Sequence, residues 1–307
     1  MRMNYQIEEQ TVFNPGHAAC PGCNVALGVR FILNTLGPDT IAVVPPSCIA
    51  IIAGPQPLSS MRVPVYQTTL EASAASASGI KRALVSKGNH HTNVVAIAGD
   101  GGTYDIGFQS LSSAAERNED IIYVCLDNEG YMNTGSQKSS ATPWLAYTTS
   151  TPAGKPTPKK NVAEIMAAHN IPYMATASTG YPDDLARKVA RARDIKGGLR
   201  FIVVLAPCLD GWGIGDDEGP RTSRLAVESG VFPLYEVENG NRYTLNHGPK
   251  GVPVARYVEG QQRYGHLSQA DIGLLQAEVD RNWQRLQEKF PAGRDTQEAV
   301  HGRAPAS

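Results

Sequence analysis

The sequence predicts an α/β fold, a mostly parallel doubly wound sheet followed by a C-terminal extension, on three observations. Short β-branched and apolar runs alternate with helical patterns as far as residue 205. That alternation is the signature of parallel strands joined by helices that cover both faces of the sheet. Finally, Cys48, Asp100, Asn128 and Cys208 each stand just past the carboxyl end of one of these runs, the edge along which open α/β sheets bind their ligands.

Taken in order, residues 26–36 read as a helix, 40–44 as a strand, 71–86 as a helix rich in Ala and Ser, and 94–98 as a strand. A helix over 106–117, a strand over 121–126, a helix over 161–169, a strand over 172–177, a helix over 182–194 and a strand over 201–205 follow. Residues 133–160 are rich in Ser, Thr, Pro and Lys and show no periodicity. Long loops of this kind in compact domains are usually functional, so this one reads as a cofactor-covering or interface segment. After residue 211 the pattern dissolves into loops and two short strands, 234–238 and 242–245, before an amphipathic helix over 269–290. The expected organisation is an N-terminal arm over 1–15, a main domain over 16–210, an extension over 211–290, and a disordered tail over 291–307.

Composition narrows the partners. Lys and Arg number 28 against 29 Asp and Glu, so nothing in the charge balance suggests nucleic acid. The longest apolar runs, such as 121–126, have strand length rather than membrane-span length, and the first ten residues are polar and acidic. The expected location is the cytoplasm.

Gly99-Asp100-Gly101 ends one predicted strand and Asp127-Asn128 ends the next, with one crossover helix between them. The pair resembles a thiamine-diphosphate motif. A diphosphate needs a hard cation, and Mg2+ takes oxygen ligands: a carboxylate from Asp100, an amide oxygen from Asn128 and a carbonyl from Gly130. The glycines let backbone approach phosphate, and the helix over 106–117 would turn its positive end toward it. Either motif alone is an ordinary turn; their spacing is what gives them meaning. Five cysteines include Cys20-Pro21-Gly22-Cys23, set before a predicted helix whose N-terminus favours thiolates. With Cys48 and Cys208 they make a set of four, able to hold either a structural zinc or a 4Fe-4S cluster. Cys125 lies inside an apolar strand and reads as a small buried hydrophobe.

Taken together the motifs resemble those of the β subunits of pyruvate and related 2-oxoacid:ferredoxin oxidoreductases. The resemblance is carried by His17-Ala18-Ala19-Cys20-Pro21-Gly22-Cys23, by Gly99-Asp100-Gly101-Gly102-Thr103-Tyr104-Asp105-Ile106-Gly107, by the run from Asp127 to Gln137, and by Ala206-Pro207-Cys208. It spans residues 16–235 and includes Ser140-Ala141-Thr142-Pro143 and Pro156-Thr157-Pro158-Lys159-Lys160 of the long loop. It implies that Cys20, Cys23, Cys48 and Cys208 ligate one 4Fe-4S cluster, which displaces zinc, with Cys48 beside the cofactor. It also implies that residues 16–210 form a thiamine-diphosphate- and cluster-binding domain. Gly99, Asp100, Gly101, Asn128, Gly130, Asn133 and Thr134 would contact Mg2+ and thiamine diphosphate, with Asn133 near the reacting carbon as the catalytic residue.

The implied activity is CoA-dependent oxidative decarboxylation of a 2-oxoacid, with electrons passed through the cluster to ferredoxin or a similar acceptor. Decarboxylation leaves a carbanion that no side chain can hold, and the thiazolium ring is the electron sink. The glutamate that activates thiamine comes from another subunit in this family; Glu71 and Glu129 are candidates here by position alone. The implied assembly is a heteromeric complex of the α/γ/δ type that also uses coenzyme A. Two departures stand out. Asn24 replaces a common glycine, and residues 55–61 lack the aromatics of pyruvate-type members. If that segment borders the substrate, bulkier acids such as arylglyoxylates compete with pyruvate. The alternatives are a non-oxidative thiamine-dependent decarboxylase subunit and a non-catalytic metal-binding scaffold protein.

Overall fold

The computed structural model describes residues 11–291; the arm's first ten residues and the tail from residue 292 lie outside them. In chain order the elements are α1 (Asn24–Leu36), β1 (Thr40–Val44), α2 (Cys48–Ala53), β2 (Val65–Gln67), α3 (Ser73–Ser86) and β3 (Asn93–Gly99). A single π-helical turn (Gly101–Asp105) precedes α4 (Phe108–Glu116), β4 (Ile122–Asp127), α5 (Val162–Ala168), β5 (Tyr173–Ser178), α6 (Pro182–Asp194) and β6 (Arg200–Leu205). There follow α7 (Leu209–Trp212), α8 (Gly219–Glu228), β7 (Leu234–Glu238), β8 (Arg242–His247), α9 (Val254–Val258) and α10 (Gln269–Gln287).

One eight-stranded sheet runs in the order β2-β1-β3-β4-β6-β5-β7-β8. The first six strands pair in parallel, and β7 and β8 add to the β5 edge antiparallel. β4, β5 and β6 are buried along their whole length, as expected of apolar runs covered on both faces. One core lies on the side of α1, α2 and α6, through Val29, Ile32, Ile52, Leu185 and Val189. The other lies on the side of α3, α4 and α5, through Ala74, Leu111, Ala114 and Met166. Helix ends follow their sequence signals. α6 opens on Pro182 with Asp183 and Asp184 in its first turn and closes with Arg191 and Arg193, matching charge to the helix dipole. α10 opens on a capping box between Ser268 and Asp271.

Chain direction across the sheet reverses at β1. β2 lies on one side of β1 and β3 on the other, which opens a crevice between the carboxyl ends of β1 and β3. β6 inserts between β4 and β5, so the segment after β6 emerges beside the segment after β4.

Four features differ from the sequence reading. The helix expected over 106–117 begins earlier, as the π-helical turn at Gly101. Only glycine fits at its end, because a Cβ on Gly107 would lie 1.8 Å from Gly102 O. The short α2 and β2 were not foreseen, since six and three residues show no period. The region after residue 211 is also more regular than expected, with α8 and α9. Their apolar faces close a third core around Trp212, Tyr257, Tyr264 and Leu275.

Candidate functional site

A cleft of about 390 Å3 opens at the carboxyl edge of the sheet. It is lined by Cys48, Gly99, Asp100, Gly101, Asn128, Gly130, Asn133 and Thr134, the residues the sequence places there, together with Ile49, Ile51, Gln67, Thr68, Leu70, Leu126, Tyr131 and Met132. Asp100 is the one Asp, Glu, Lys or Arg among its lining residues. Residues 55–61 do not line it either; Ser60 is buried and donates to Ile52 O at 2.6 Å.

Asp100 is buried, and its Oδ2 accepts from Ser139 Oγ. Burial, and then the neighbouring Asp127 carboxylate, push its pKa up. Its Oδ1 lies 3.0 Å, and Gly130 O 2.9 Å, from one terminal atom of the Asn128 amide. With the amide oxygen turned toward them, three oxygens from three different residues converge. Octahedral Mg2+ at about 2.1 Å from each ligand sets adjacent oxygens about 3.0 Å apart. The donor set and its spacing fit that cation, and a buried carboxyl with a raised pKa is what a cation would ionise. Turned over, the Asn128 amide would instead donate to Gly130 O and Asp100 Oδ1.

The turn that presents these oxygens is held from below. Glu129 has a φ of +66°, a left-handed conformation that costs a side-chain-bearing residue free energy. It is fixed there by a buried ion network, with Lys159 at 2.8 Å and Arg263 at 2.7 Å. Lys159 also reaches Asp127 at 2.7 Å, and Tyr104 donates to Asp127 at 2.8 Å. Paired in this way, Glu129 keeps its carboxyl below the usual range despite burial. The Arg263 guanidinium sits over the Trp212 ring, 3.5 Å from its centroid, and Trp212 Nε1 donates to Asn128 O at 2.8 Å. Sequence reasoning missed Arg263 and Trp212, which lie in the extension and carry no local motif. Glu71 is exposed, and Glu129 is engaged, so neither candidate glutamate faces the cleft.

Gly101 and Gly102 are bare for steric reasons. A Cβ on Gly101 would lie 2.2 Å from the Tyr131 ring, and one on Gly102 would lie 3.3 Å from Leu70 O. Tyr131 is itself fixed by donating to Asp105 at 2.8 Å. Asn133 and Thr134 sit exposed at the rim on a turn closed by the Tyr131–Gln137 bridge. The long loop is not a loose cover. Ser139 binds Asp100, and the buried Lys155 donates to Thr142 O at 2.7 Å and Pro158 O at 3.0 Å.

All five cysteines are free thiols. Cys125 is fully buried in β4. Cys23 caps α1, Cys48 starts α2, and Cys208 caps α7, its Sγ accepting from Gly211 N at 3.3 Å. A Cβ on Gly22, whose φ is +70°, would lie 1.9 Å from Asp216 O, so the Cys20-to-Cys23 loop presses against the chain beyond Cys208. Asn24, buried, reinforces this contact by donating to Pro207 O at 3.1 Å.

The helix N-terminus was expected to lower the Cys23 thiol. Backbone N–H groups of Ala26 and Val25 do pull it down, but burial outweighs them and raises it. Burial, followed by Cys208, Cys23, Asp100 and Cys20, pushes Cys48 up to about 12. Burial also raises Cys208, with Cys23 and Cys20 adding to it. Burial, with neighbouring sulfurs adding to it, holds Cys23, Cys48 and Cys208 as thiols, and a cationic centre would relieve that. As they stand, no three Cys, His, Asp or Glu side chains among the described residues are gathered closely enough to hold a metal ion. Cys48 Sγ lies 3.7 Å from Asn128 Nδ2 and 3.5 Å from Asn133 Oδ1, which puts this cysteine at the cleft.

Comparison with known proteins agrees with this geometry. Residues 50–204 match the thiamine pyrophosphate enzyme C-terminal TPP binding domain, so the chain carries a thiamine-diphosphate-binding domain. The pyruvate synthase subunit PorB of Methanocaldococcus jannaschii is 46% identical over 288 residues, 90% of this chain and 96% of that one. The ketoisovalerate oxidoreductase subunit VorB of Pyrococcus abyssi is 44% identical over 298 residues, 93% of this chain and 94% of that one. The chain belongs to this family, the β subunits of 2-oxoacid:ferredoxin oxidoreductases. A solved 2-oxoglutarate:ferredoxin oxidoreductase of Magnetococcus marinus shares the fold with a TM-score of 0.55 and 23% identity, covering 66% of this chain and 70% of that one. The four candidate ligand cysteines fall outside the matched cofactor domain, whereas Cys125 falls inside it. Among the described residues no helix is long and apolar enough to cross a membrane.

Proposed function

We propose that this chain binds Mg2+ and thiamine diphosphate in the cleft, carries one 4Fe-4S cluster on Cys20, Cys23, Cys48 and Cys208, and acts in a cytoplasmic complex. Residues 16–210 form its cofactor domain and 211–290 an extension that braces it. The complex oxidatively decarboxylates a 2-oxoacid to an acyl-CoA and passes electrons to ferredoxin or a similar acceptor. The observation that carries this reading is that Asp100, Asn128 and Gly130 meet at one point in the cleft, Asp100 Oδ1 and Gly130 O lying 3.0 and 2.9 Å from one terminal atom of the Asn128 amide.

When bound, thiamine diphosphate supplies the electron sink for decarboxylation. The chain's own residues prepare the place for it. Asp100, oriented by Ser139, would hold the cation as a carboxylate once its proton has left to solvent, while the Trp212 bond and the Glu129 ion pairs fix the turn from Asn128 to Gly130. Gly99, Gly101 and Gly102 leave room for a diphosphate, with Thr134 at the rim. Ile49, Ile51, Leu126 and Met132 form an apolar wall that limits water. Asn133, beside Cys48, faces the site where the substrate would react.

The cleft's lining holds no cation and no glutamate. A 2-oxoacid carboxylate, the phosphates of coenzyme A and the activation of thiamine all call for such groups. They come from another subunit, and the chain works only in the complex. The relatives divide between pyruvate and ketoisovalerate at nearly equal identity, and with residues 55–61 away from the cleft the preference is for a small aliphatic acid, pyruvate first.

The test is electron paramagnetic resonance of the anaerobic complex mixed with pyruvate, 2-oxoisovalerate or phenylglyoxylate, with and without coenzyme A. A reduced-cluster signal that needs a 2-oxoacid and is lost in Asp100→Ala and Cys48→Ala complexes is the expected result. Zinc in place of iron, or decarboxylation without any cluster signal, overturns it in favour of a non-oxidative subunit.

A further inference from the structure

Two hydroxyls that do not line the cleft shape the cation site from behind. Ser139 Oγ donates to Asp100 Oδ2, and Thr142 Oγ1 donates to Glu129 O at 2.7 Å. The two residues are joined, since Ser139 N donates to Thr142 Oγ1 at 3.0 Å and Thr142 N to Ser139 O at 3.2 Å. Asp100, Glu129, Ser139 and Thr142 are all buried. A hydroxyl carries one hydrogen, so each of the two has its donor committed. Residues 139–142 thus form a clip from the carboxylate after β3 to the turn after β4. The clip is itself tied down: Ser140 N donates to Asp105 at 3.2 Å, Lys160 N to Ser140 O at 2.9 Å, and Lys155 Nζ to Thr142 O at 2.7 Å.

This arrangement leaves each residue of the site one oxygen to offer. Asp100 Oδ2 is engaged by Ser139, and Oδ1 is the oxygen that approaches the Asn128 amide, at 3.0 Å. Of three successive carbonyls in the turn, Asn128 O is engaged by Trp212 and Glu129 O by Thr142, while Gly130 O lies 2.9 Å from that same amide atom. These distances hold whichever way round the amide is placed. Mg2+ suits one oxygen per residue in a near-octahedral shell, whereas Ca2+ takes about six to eight oxygens and often both oxygens of one carboxylate. For Ca2+ to use both, Asp100 Oδ2 must leave Ser139.

We propose that Ser139 and Thr142 are positioning residues that make the site selective for Mg2+ over the larger Ca2+. Ser139 holds Asp100 to one-oxygen coordination, and Thr142 keeps Ser139 and the turn from Asn128 to Gly130 at a fixed separation. This rests on the reading of the cleft as a site for Mg2+ and thiamine diphosphate, and goes beyond it by giving the choice of cation to residues 139–142. Neither the cluster nor the substrate enters it.

The experiment is calorimetric titration of thiamine diphosphate into the assembled complex, freed of cation and cofactor, in excess MgCl2 or excess CaCl2. The readout is the ratio of the two affinities. Wild type is expected to favour Mg2+ by about tenfold or more. Ser139→Ala and Thr142→Val each remove one buried hydroxyl, and the ratio is expected to fall about five- to tenfold, with Mg2+ weakening while Ca2+ holds or tightens. Thr142→Ser restores the hydroxyl and is expected to keep the wild-type ratio; a fall as large as that of Thr142→Val overturns the hydroxyl's role. General loss of structure weakens both cations alike, so an unchanged ratio in Ser139→Ala and Thr142→Val overturns the proposal while leaving the function of the cleft standing. Equal affinities in the wild type overturn it too, with no variant needed. Wild-type binding of thiamine diphosphate that needs no cation overturns the reading of the cleft itself.

Discussion

Glu129→Gln removes one charge from a buried network and leaves a near-isosteric amide, so its effect isolates what the ion pairs do for the metal-site turn. Both partners are shielded, with side-chain exposures of 2% for Glu129 and 3% for Arg263. Lys159 retains Asp127 at 2.7 Å, so the loss falls mainly on Arg263, which keeps only Gln261 Oε1 and Tyr257 Oη among its polar side-chain contacts. Two unit charges about 4 Å apart attract by about 4 kcal/mol at an effective dielectric of 20, and breaking a buried pair costs about 3–5 kcal/mol. The left-handed φ of Glu129 stays unfavourable once its anchor weakens, so the turn from Asn128 to Gly130 should open about a hundredfold or more often. Hydrogen exchange of the amides of residues 124–131 in the assembled complex reads that local opening directly. Adding Arg263→Met removes the stranded cation, and the double variant should lose less than the sum of the two single ones. An exchange rate within about tenfold of wild type in Glu129→Gln, or strict additivity, would refute the claim that this network holds the turn.

Mg2+ binding should release a proton, because burial and Asp127 hold Asp100 protonated above the usual carboxylate range. As pH falls below that raised pKa, apparent affinity should weaken about tenfold per pH unit; calorimetry in two buffers of different ionisation enthalpy measures the proton, and Asp100→Asn should release none. Gly22→Ala forces a left-handed φ on alanine and a Cβ into Asp216 O, a cost of at least about 2 kcal/mol; iron per assembled complex should drop, and full iron content would contradict the role given to this loop. Lys155→Met strips the donor from Thr142 O and Pro158 O, worth about 1.5–3 kcal/mol; limited proteolysis within residues 144–157 should accelerate, and an unchanged cutting rate would show that the loop is held otherwise.

The sequence by itself determined the parallel strands and the identity of the cleft. Continuous apolar runs at residues 94–98, 121–126 and 201–205 match β3, β4 and β6 to within a residue at either end, because strands buried on both faces need unbroken apolar sequence. Gly99 to Gly101 and Asn128 to Gly130 were legible because a strand end fixes where a following residue points, whatever the strand order. Short-range patterning could not show that β6 inserts beside β4, since strand order is set by the packing of helices distant in sequence. Only that order brings Cys208 toward Asn128. It likewise took the folded extension to deliver Arg263 and Trp212 beneath the turn, and burial to reverse the expected lowering of the Cys23 thiol. Local signals carry backbone preference and the identity of chemical groups. Desolvation and long-range charge pairing exist only once the surrounding chain has closed over them.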